Sequence, residues 1–192
     1  MKNPNLIAVA SRSFCANPVL RQELEARYSQ ITWNTTGRVL EDAELIEFLK
    51  GHTKAITGLE KINRSILSGV PELKHIAKYG VGMDMIELAD LESMGVTLGW
   101  ISGVNRRAVS ELTLNFMLTL IRGVHLSTAH FRNDEFKRAP GRQLTEKTVG
   151  IIGCGNIGKE LVKFLRPFSC RVLVHDIVDY PEFYQEYGVK VV

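Results

Sequence analysis

Three cysteines in 192 residues, Cys15, Cys154 and Cys170, are too few and too scattered for a disulfide framework. None belongs to a CxxC pair and none has a histidine at zinc-finger spacing, so no structural metal is expected. What remains is a set of buried, reduced thiols in a cytoplasmic protein. Long apolar runs are missing too: a membrane span needs ~20 such residues, and Arg122 closes the longest helical candidate. The apolar run near the start, Leu6 to Ala10, gives way to Arg12 and is too short for a signal peptide, so it reads as a first strand. Charge of one sign is also scarce. Lysine and arginine number 24 against 21 acidic residues, and the formal net charge of +3 is dispersed, which argues against a nucleic-acid surface. There is no internal repeat and no low-complexity tract.

What is present suits a globular protein: 45% hydrophobic and 23% charged residues are enough to bury a core, in one large domain or two small ones. The first hundred residues alternate short apolar runs with helical patterns. Strands are expected at Leu6–Ala10, Ile31–Trp33, Ala55–Thr57, Leu73–Ala77 and Val96–Leu98. Between them, helices are expected from Asn17-Pro18, over Glu41–Leu49 with Gly51 as its stop, and over Ile86–Met94 with Gly95 as its stop. Strands alternating with helices imply crossovers and a parallel sheet. From Asn105 the character changes. Val109, Leu112, Leu114, Phe116, Met117, Leu118, Leu120 and Ile121 make a helix too apolar all round for a simple surface helix, which suits a place between domains or subunits. A polar stretch, Arg132 to Lys147, follows.

Gly153-Cys-Gly155-Asn156-Ile157-Gly158 fits G-x-G-x-x-G, and its surroundings give the pattern weight. The buried strand Val149–Ile152 runs into it, and a helical stripe of Ile157, Leu161, Val162, Phe164 and Leu165 runs out. Gly153 permits a tight turn, Gly155 lets the backbone approach a pyrophosphate, and Gly158 lets the helix pack closely on the strand. The N–H groups at the helix start then face the phosphates, and Asn156 and Ile157 are assigned to the cofactor there. A second strand, Arg171–His175, ends in Asp176, and 176 − 153 = 23. An acidic residue about 20 positions past the loop grips the adenosine ribose and repels a ribose phosphate, which favours NAD over NADP.

With these residues in view, the chain resembles the D-isomer-specific 2-hydroxyacid dehydrogenases, particularly the phosphoglycerate-dehydrogenase-like branch, from about Leu6 to Val192. The likeness is strongest in Ile76-Ala-Lys-Tyr-Gly-Val-Gly-Met-Asp84, in Asn105-Arg-Arg-Ala-Val-Ser-Glu-Leu-Thr-Leu114 and in Lys147–Gly158. It implies an α/β protein with a flavodoxin-like substrate-binding domain over residues 1–102 and the first half of a Rossmann NAD-binding domain over 103–192. It also implies that Gly80, Val81 and Gly82 hold a substrate carboxylate through backbone amides, with Val81 also beside the nicotinamide, and that Asn105 faces the same cleft. Bare amides form a concave anion site without any side chain. Thr57-Gly-Leu-Glu60 matches a loop at the rim, and Lys78 is a further candidate to assist an anionic substrate. The substrate implied is a small D-2-hydroxy acid, 3-phosphoglycerate-like, oxidised at its CH–OH group.

The sequence departs from the family where glycine is usual at Asp134 and Glu146 and tryptophan near Phe136, which puts local turns in question. It also ends early for a dinucleotide fold, with 192 − 158 = 34 residues after the last loop glycine. The family's catalytic Arg, Glu and His are therefore expected to be absent. None of His52, His75, His125, His130 and His175 matches those roles, so no catalytic residue is assigned and these 192 residues alone are expected to be inactive. The competing reading is a non-catalytic NAD-binding interaction module of the same fold. A homodimer or larger assembly is expected, through the apolar helix or through an unpaired Val149–Ile152 edge.

Overall fold

The computed structural model describes residues 6–192, so the first five residues of the expected substrate-binding domain lie outside the described residues. The chain divides into two compact units, Met1–Ser102 and Gly103–Val192.

In the first unit, strands β1 (Ile7–Val9), β2 (Ile31–Trp33), β3 (Lys54–Thr57), β4 (His75–Lys78) and β5 (Thr97–Gly99) pair in parallel, in the order β2-β1-β3-β4-β5. This is the flavodoxin-like order, whose ligand end lies at the carboxyl ends of the strands. Helices α1 (Arg12–Cys15), α2 (Pro18–Arg27), α3 (Asp42–Leu49), α4 (Arg64–Ser68) and α5 (Leu88–Ser93) make the crossovers. Local chemistry sets their bounds. The Asn17 side-chain Oδ1 accepts from the amides of Val19 (3.0 Å) and Leu20 (3.2 Å), with Pro18 at the first helical position. Asn63 caps α4 in the same way, accepting from Ile66 at 3.1 Å. Gly51, at φ +74°, turns the chain after α3, a conformation that costs glycine nothing. Ala8, Ala55 and Ile76 share a register row and face the main core with Leu45, Leu49, Ile62 and Leu67. Val9 and Ile56 face the other way, toward Leu24 and Trp33.

In the second unit, α6 (Arg106–Ile121) and α7 (Val124–Arg132) precede strand β6 (Thr148–Ile152). Helix α8 (Asn156–Leu165), strand β7 (Arg171–His175), helix α9 (Pro181–Tyr187) and strand β8 (Lys190–Val191) follow. The strands are parallel in the order β6-β7-β8, so among the described residues β6 pairs on one side only. Its two end residues part company: Ile151 is buried against Val162 and Val174, whereas Ile152 is 91% exposed.

Several bounds differ from those expected. Strand β4 begins at His75 rather than Leu73, because Leu73 is a buried turn residue whose N–H goes back to Val70. The helix expected from Ile86 starts at Leu88, because Ile86 pairs with Ile62 as an isolated bridge. The short α1, α4 and β8, together with α7 and α9, carry no periodic stripe long enough to stand out, and α7 buries none of its residues.

Both positions in the connecting segment where the family usually has glycine are left-handed here, with Asp134 at φ +57° and Glu146 at φ +63°. A side chain there costs ~1–2 kcal/mol, against ~0.5–1 kcal/mol of extra chain entropy lost by glycine. Glu146→Gly is thus expected to stabilise the second unit by about 0.5–1 kcal/mol, read from the urea midpoint at unchanged slope.

Candidate functional site

In the second unit, β6 delivers the chain into Gly153 at φ +95°, and the loop turns directly into α8. A Cβ on Gly158 would stand 2.1 Å from the carbonyl oxygen of Gly153, so strand and helix approach as closely as they do only because none is there. Around Gly155 the space is open: a Cβ there would meet nothing within 4 Å. Asn156 and Ile157 open the helix, and Gly155 caps it without a side chain, so no side-chain cap covers the positive end of the helix dipole.

Asp176 closes this arrangement from β7. One carboxylate oxygen accepts from the Cys154 amide and the other from the Val178 amide at 2.9 Å. These hydrogen bonds, Val178 first, hold its carboxyl below the usual carboxylate range, so the group is ionised at neutral pH. Gly153, Gly155, Asn156, Ile157, Gly158 and Asp176 thus come together within one strand–loop–helix–strand unit. The open space at Gly155, the helix start without a side-chain cap and the anchored acid fit a dinucleotide: phosphates at the loop, ribose hydroxyls at the acid. Burial pushes the Cys154 thiol up, so it stays protonated and packs as an apolar side chain.

Sequence reasoning missed the residues that hold the loop from behind. Ser110, fully buried on α6, donates to the Ile157 carbonyl at 3.0 Å. Arg107 pairs with the buried Glu160 at 3.2 Å and lies 4.4 Å over the Phe164 ring. The Lys159 ammonium rests 3.2 Å from the Tyr180 ring centroid. Helix α6 is therefore committed on one side to α8, through Leu114, Met117, Leu118 and Ile121, and its exposed side carries Leu112, Phe116 and Leu120.

In the first unit, Gly80, Val81 and Gly82 follow β4 at the carboxyl end of the sheet. Gly80 has φ +135°, which glycine alone adopts readily. Among the described residues, the amides of Gly80, Val81 and Gly82 donate to no protein acceptor. Thr57 pairs in register with Lys78, the last residue of β4, and both Thr57 and Glu60 are buried. Glu60 accepts from the Gly58 amide at 2.5 Å, and Lys78 donates to the Gly58 carbonyl. Burial lowers the Lys78 pKa while Glu60 and Asp84 support its charge. Asn105 belongs to the other unit, at the start of α6, where its side chain makes no capping bond.

Comparison with known proteins agrees with this geometry. Residues 114–192 match the family model described as D-isomer specific 2-hydroxyacid dehydrogenase, NAD binding domain. Bacillus subtilis YoaD, named as a 2-hydroxyacid dehydrogenase, is 28% identical over 205 residues that cover 94% of this chain and 60% of YoaD. The D-3-phosphoglycerate dehydrogenase of Methanocaldococcus jannaschii is 30% identical over 156 residues, 80% of this chain and 30% of that protein. Among solved structures, a Polaromonas protein named as a D-isomer specific 2-hydroxyacid dehydrogenase superposes with a TM-score of 0.86 at 21% identity, covering 99% of this chain and 60% of its own. The Aquifex aeolicus D-lactate dehydrogenase complexed with NAD and lactic acid gives 0.80 at 23% identity, covering 98% of this chain and 56% of its own. At these identities the structural likenesses establish the fold. The chain spans about three fifths of the length of the first of these relatives.

Proposed function

The chain belongs to the D-isomer specific 2-hydroxyacid dehydrogenase family, and from that premise we propose that it takes part in oxidation of a small D-2-hydroxy acid, or reduction of the matching 2-keto acid, with NAD. The observation that carries this reading is the loop itself: close strand–helix contact at Gly158, open space at Gly155, and the Asp176 carboxylate anchored to the Cys154 amide. NAD, when bound, supplies the hydride acceptor or donor. The chain's part is to hold its phosphates at Gly153–Gly158 and its ribose at Asp176, and to offer the Gly80, Val81 and Gly82 amides to a substrate carboxylate, with Asn105 as a further polar contact. A 3-phosphoglycerate-like acid is the substrate class we favour. No residue of the chain is assigned the proton transfer, so turnover by these 192 residues alone is not expected. Saturable NADH oxidation with any of a panel of 2-keto acids, abolished by Gly155→Val, would show that a proton-transferring group has been overlooked.

Cofactor preference is the direct test. NAD or ADP-ribose should bind more tightly than the 2′-phosphorylated form, and Asp176→Ala should weaken NAD by about 1.5–3 kcal/mol, the range for a hydrogen bond to a charged group. Calorimetry showing equal affinities for the two dinucleotides removes Asp176 from the site.

We further propose a homodimer or larger assembly in the cytoplasm. Among the described residues no helix is long and apolar enough to cross a membrane, and the three cysteines are free. Leu112, Phe116 and Leu120, spaced four apart on α6, are 51%, 55% and 65% exposed, an apolar stripe of the kind a partner covers. Phe116→Glu is expected to turn a dimer into a monomer in light scattering at micromolar concentration, and a wild-type chain already monomeric there refutes the proposal. If the β6 edge is the contact instead, Ile152→Lys dissociates the dimer; Ile151 is unsuitable for that purpose because it faces the core.

A further inference from the structure

The segment Thr57–Ile62 backs the loop after β4 at both ends. Before the loop, the Tyr79 amide donates to the Thr57 carbonyl at 2.7 Å, and the Lys78 ammonium donates to the Gly58 carbonyl. After it, the Ile62 amide donates to the Met85 carbonyl at 2.7 Å, and the Glu87 amide to the Ile62 carbonyl at 2.9 Å. These bonds fix where the loop starts and stops and leave the orientation of its middle peptide planes open. Gly80 and Gly82 have no side chains to resist rotation, and a Cβ on Gly82 would meet only the Asp84 carboxylate, at 3.4 Å.

One bond grips the middle. The indole N–H of Trp100, the residue directly after β5, donates to the Val81 carbonyl at 3.2 Å. The Val81–Gly82 peptide is trans, so its C=O and N–H point in opposite directions. Drawing the carbonyl to Trp100 therefore turns the Gly82 N–H away from it, to the side where no protein acceptor meets it. A flipped plane would present a carbonyl oxygen to an incoming carboxylate where a donor is needed, replacing attraction by repulsion.

We propose that Trp100 is a positioning residue for the carboxylate loop, holding the Val81–Gly82 plane so that the Gly82 amide faces the substrate. This rests on the reading of Gly80–Gly82 as the carboxylate site. Trp100 is 41% exposed, so its ring contributes modestly to the core and its N–H is separable from its packing. The variant that separates them is Trp100→Phe.

The test uses the isotope-labelled 192-residue chain and oxamate, a monocarboxylate with a 2-keto-acid shape, as the probe. In wild type, oxamate should shift the Gly80, Val81 and Gly82 amide resonances. In Trp100→Phe the Val81 carbonyl carbon should move upfield as it loses its donor, and oxamate affinity should fall by about fivefold, the worth of one hydrogen bond in orientation. The thermal midpoint should change little, and Trp33→Phe, which leaves the Val81 bond in place, should leave oxamate affinity unchanged. Failure of oxamate to shift the three amides in wild type overturns the carboxylate-site reading, and this proposal with it. Shifts in wild type with equal affinity in Trp100→Phe overturn the role of Trp100 alone.

Discussion

Gly158→Ala is expected to cost the second unit about 3 kcal/mol of stability, at the upper end of what one added methyl group does in a packed interior. The methyl carbon would sit 2.1 Å from the Gly153 carbonyl oxygen and 3.1 Å from its carbon, both backbone atoms. Neither is the far end of a flexible side chain that could swing aside. Relief requires α8 to back away from β6, which loosens Leu161, Val162 and Leu165 from Ile151 and Val174. It also draws the Ile157 carbonyl off the Ser110 hydroxyl. Stability of a domain this size is only ~5–15 kcal/mol, so the loss is a large fraction of the whole. Chemical denaturation followed through far-UV dichroism measures it, and a midpoint unchanged from wild type would mean that the strand–helix contact is not what demands glycine here.

The same residue explains why this part of the molecule was legible from the sequence. A position that tolerates no Cβ can be occupied only by glycine, so close backbone contact leaves a mark in the amino-acid code. Asp176 was legible for a related reason, since it ends a strand at a fixed distance along the chain from the loop. The supporting contacts leave no such mark. Ser110 reaches Ile157 across 47 residues and Arg107 reaches Glu160 across 53. A serine or an arginine on an exposed-looking helix turn has many possible partners, and only the packing of α6 on α8 selects one. Trp100 is similar: its indole finds a carbonyl 19 residues back, in a loop whose glycines announce flexibility but not what restrains it.

Faces of strands were harder still. Val149, Ile151 and Ile152 look alike as an apolar run, yet Ile151 is 8% exposed and Ile152 is 91%. An uninterrupted apolar strand is the signature of burial on both faces, and such a run does not say what covers the second one. The same holds for α6, whose apolar residues are spread around the helix. The structure divides that surface between α8 on one side and the exposed Leu112, Phe116 and Leu120 on the other. At Asp134 and Glu146, where the departure from glycine put local turns in question, the backbone of this chain is left-handed, at a strain of ~1–2 kcal/mol each.

Gly155→Val is expected to do the reverse of Gly158→Ala, leaving the fold intact and abolishing dinucleotide binding. A Cβ on Gly155 meets nothing within 4 Å, so no neighbouring atom of the protein stands in its way. The open space is where the reading above places the pyrophosphate, with α8 presenting its first N–H groups and the positive end of its dipole. A branched side chain standing there keeps the phosphates beyond the 2.7–3.2 Å over which those N–H groups donate. Several charge-assisted hydrogen bonds are then lost together, each worth ~1.5–3 kcal/mol, so NAD affinity should fall by at least about a hundredfold. Paired measurements decide it: calorimetric titration with NAD, and the thermal midpoint of the ligand-free chain. A variant that melts like wild type and no longer binds NAD places the phosphates at Gly155. One that melts like wild type and still binds removes the glycine loop from the cofactor site and moves the search to the outward ends of β7 and β8.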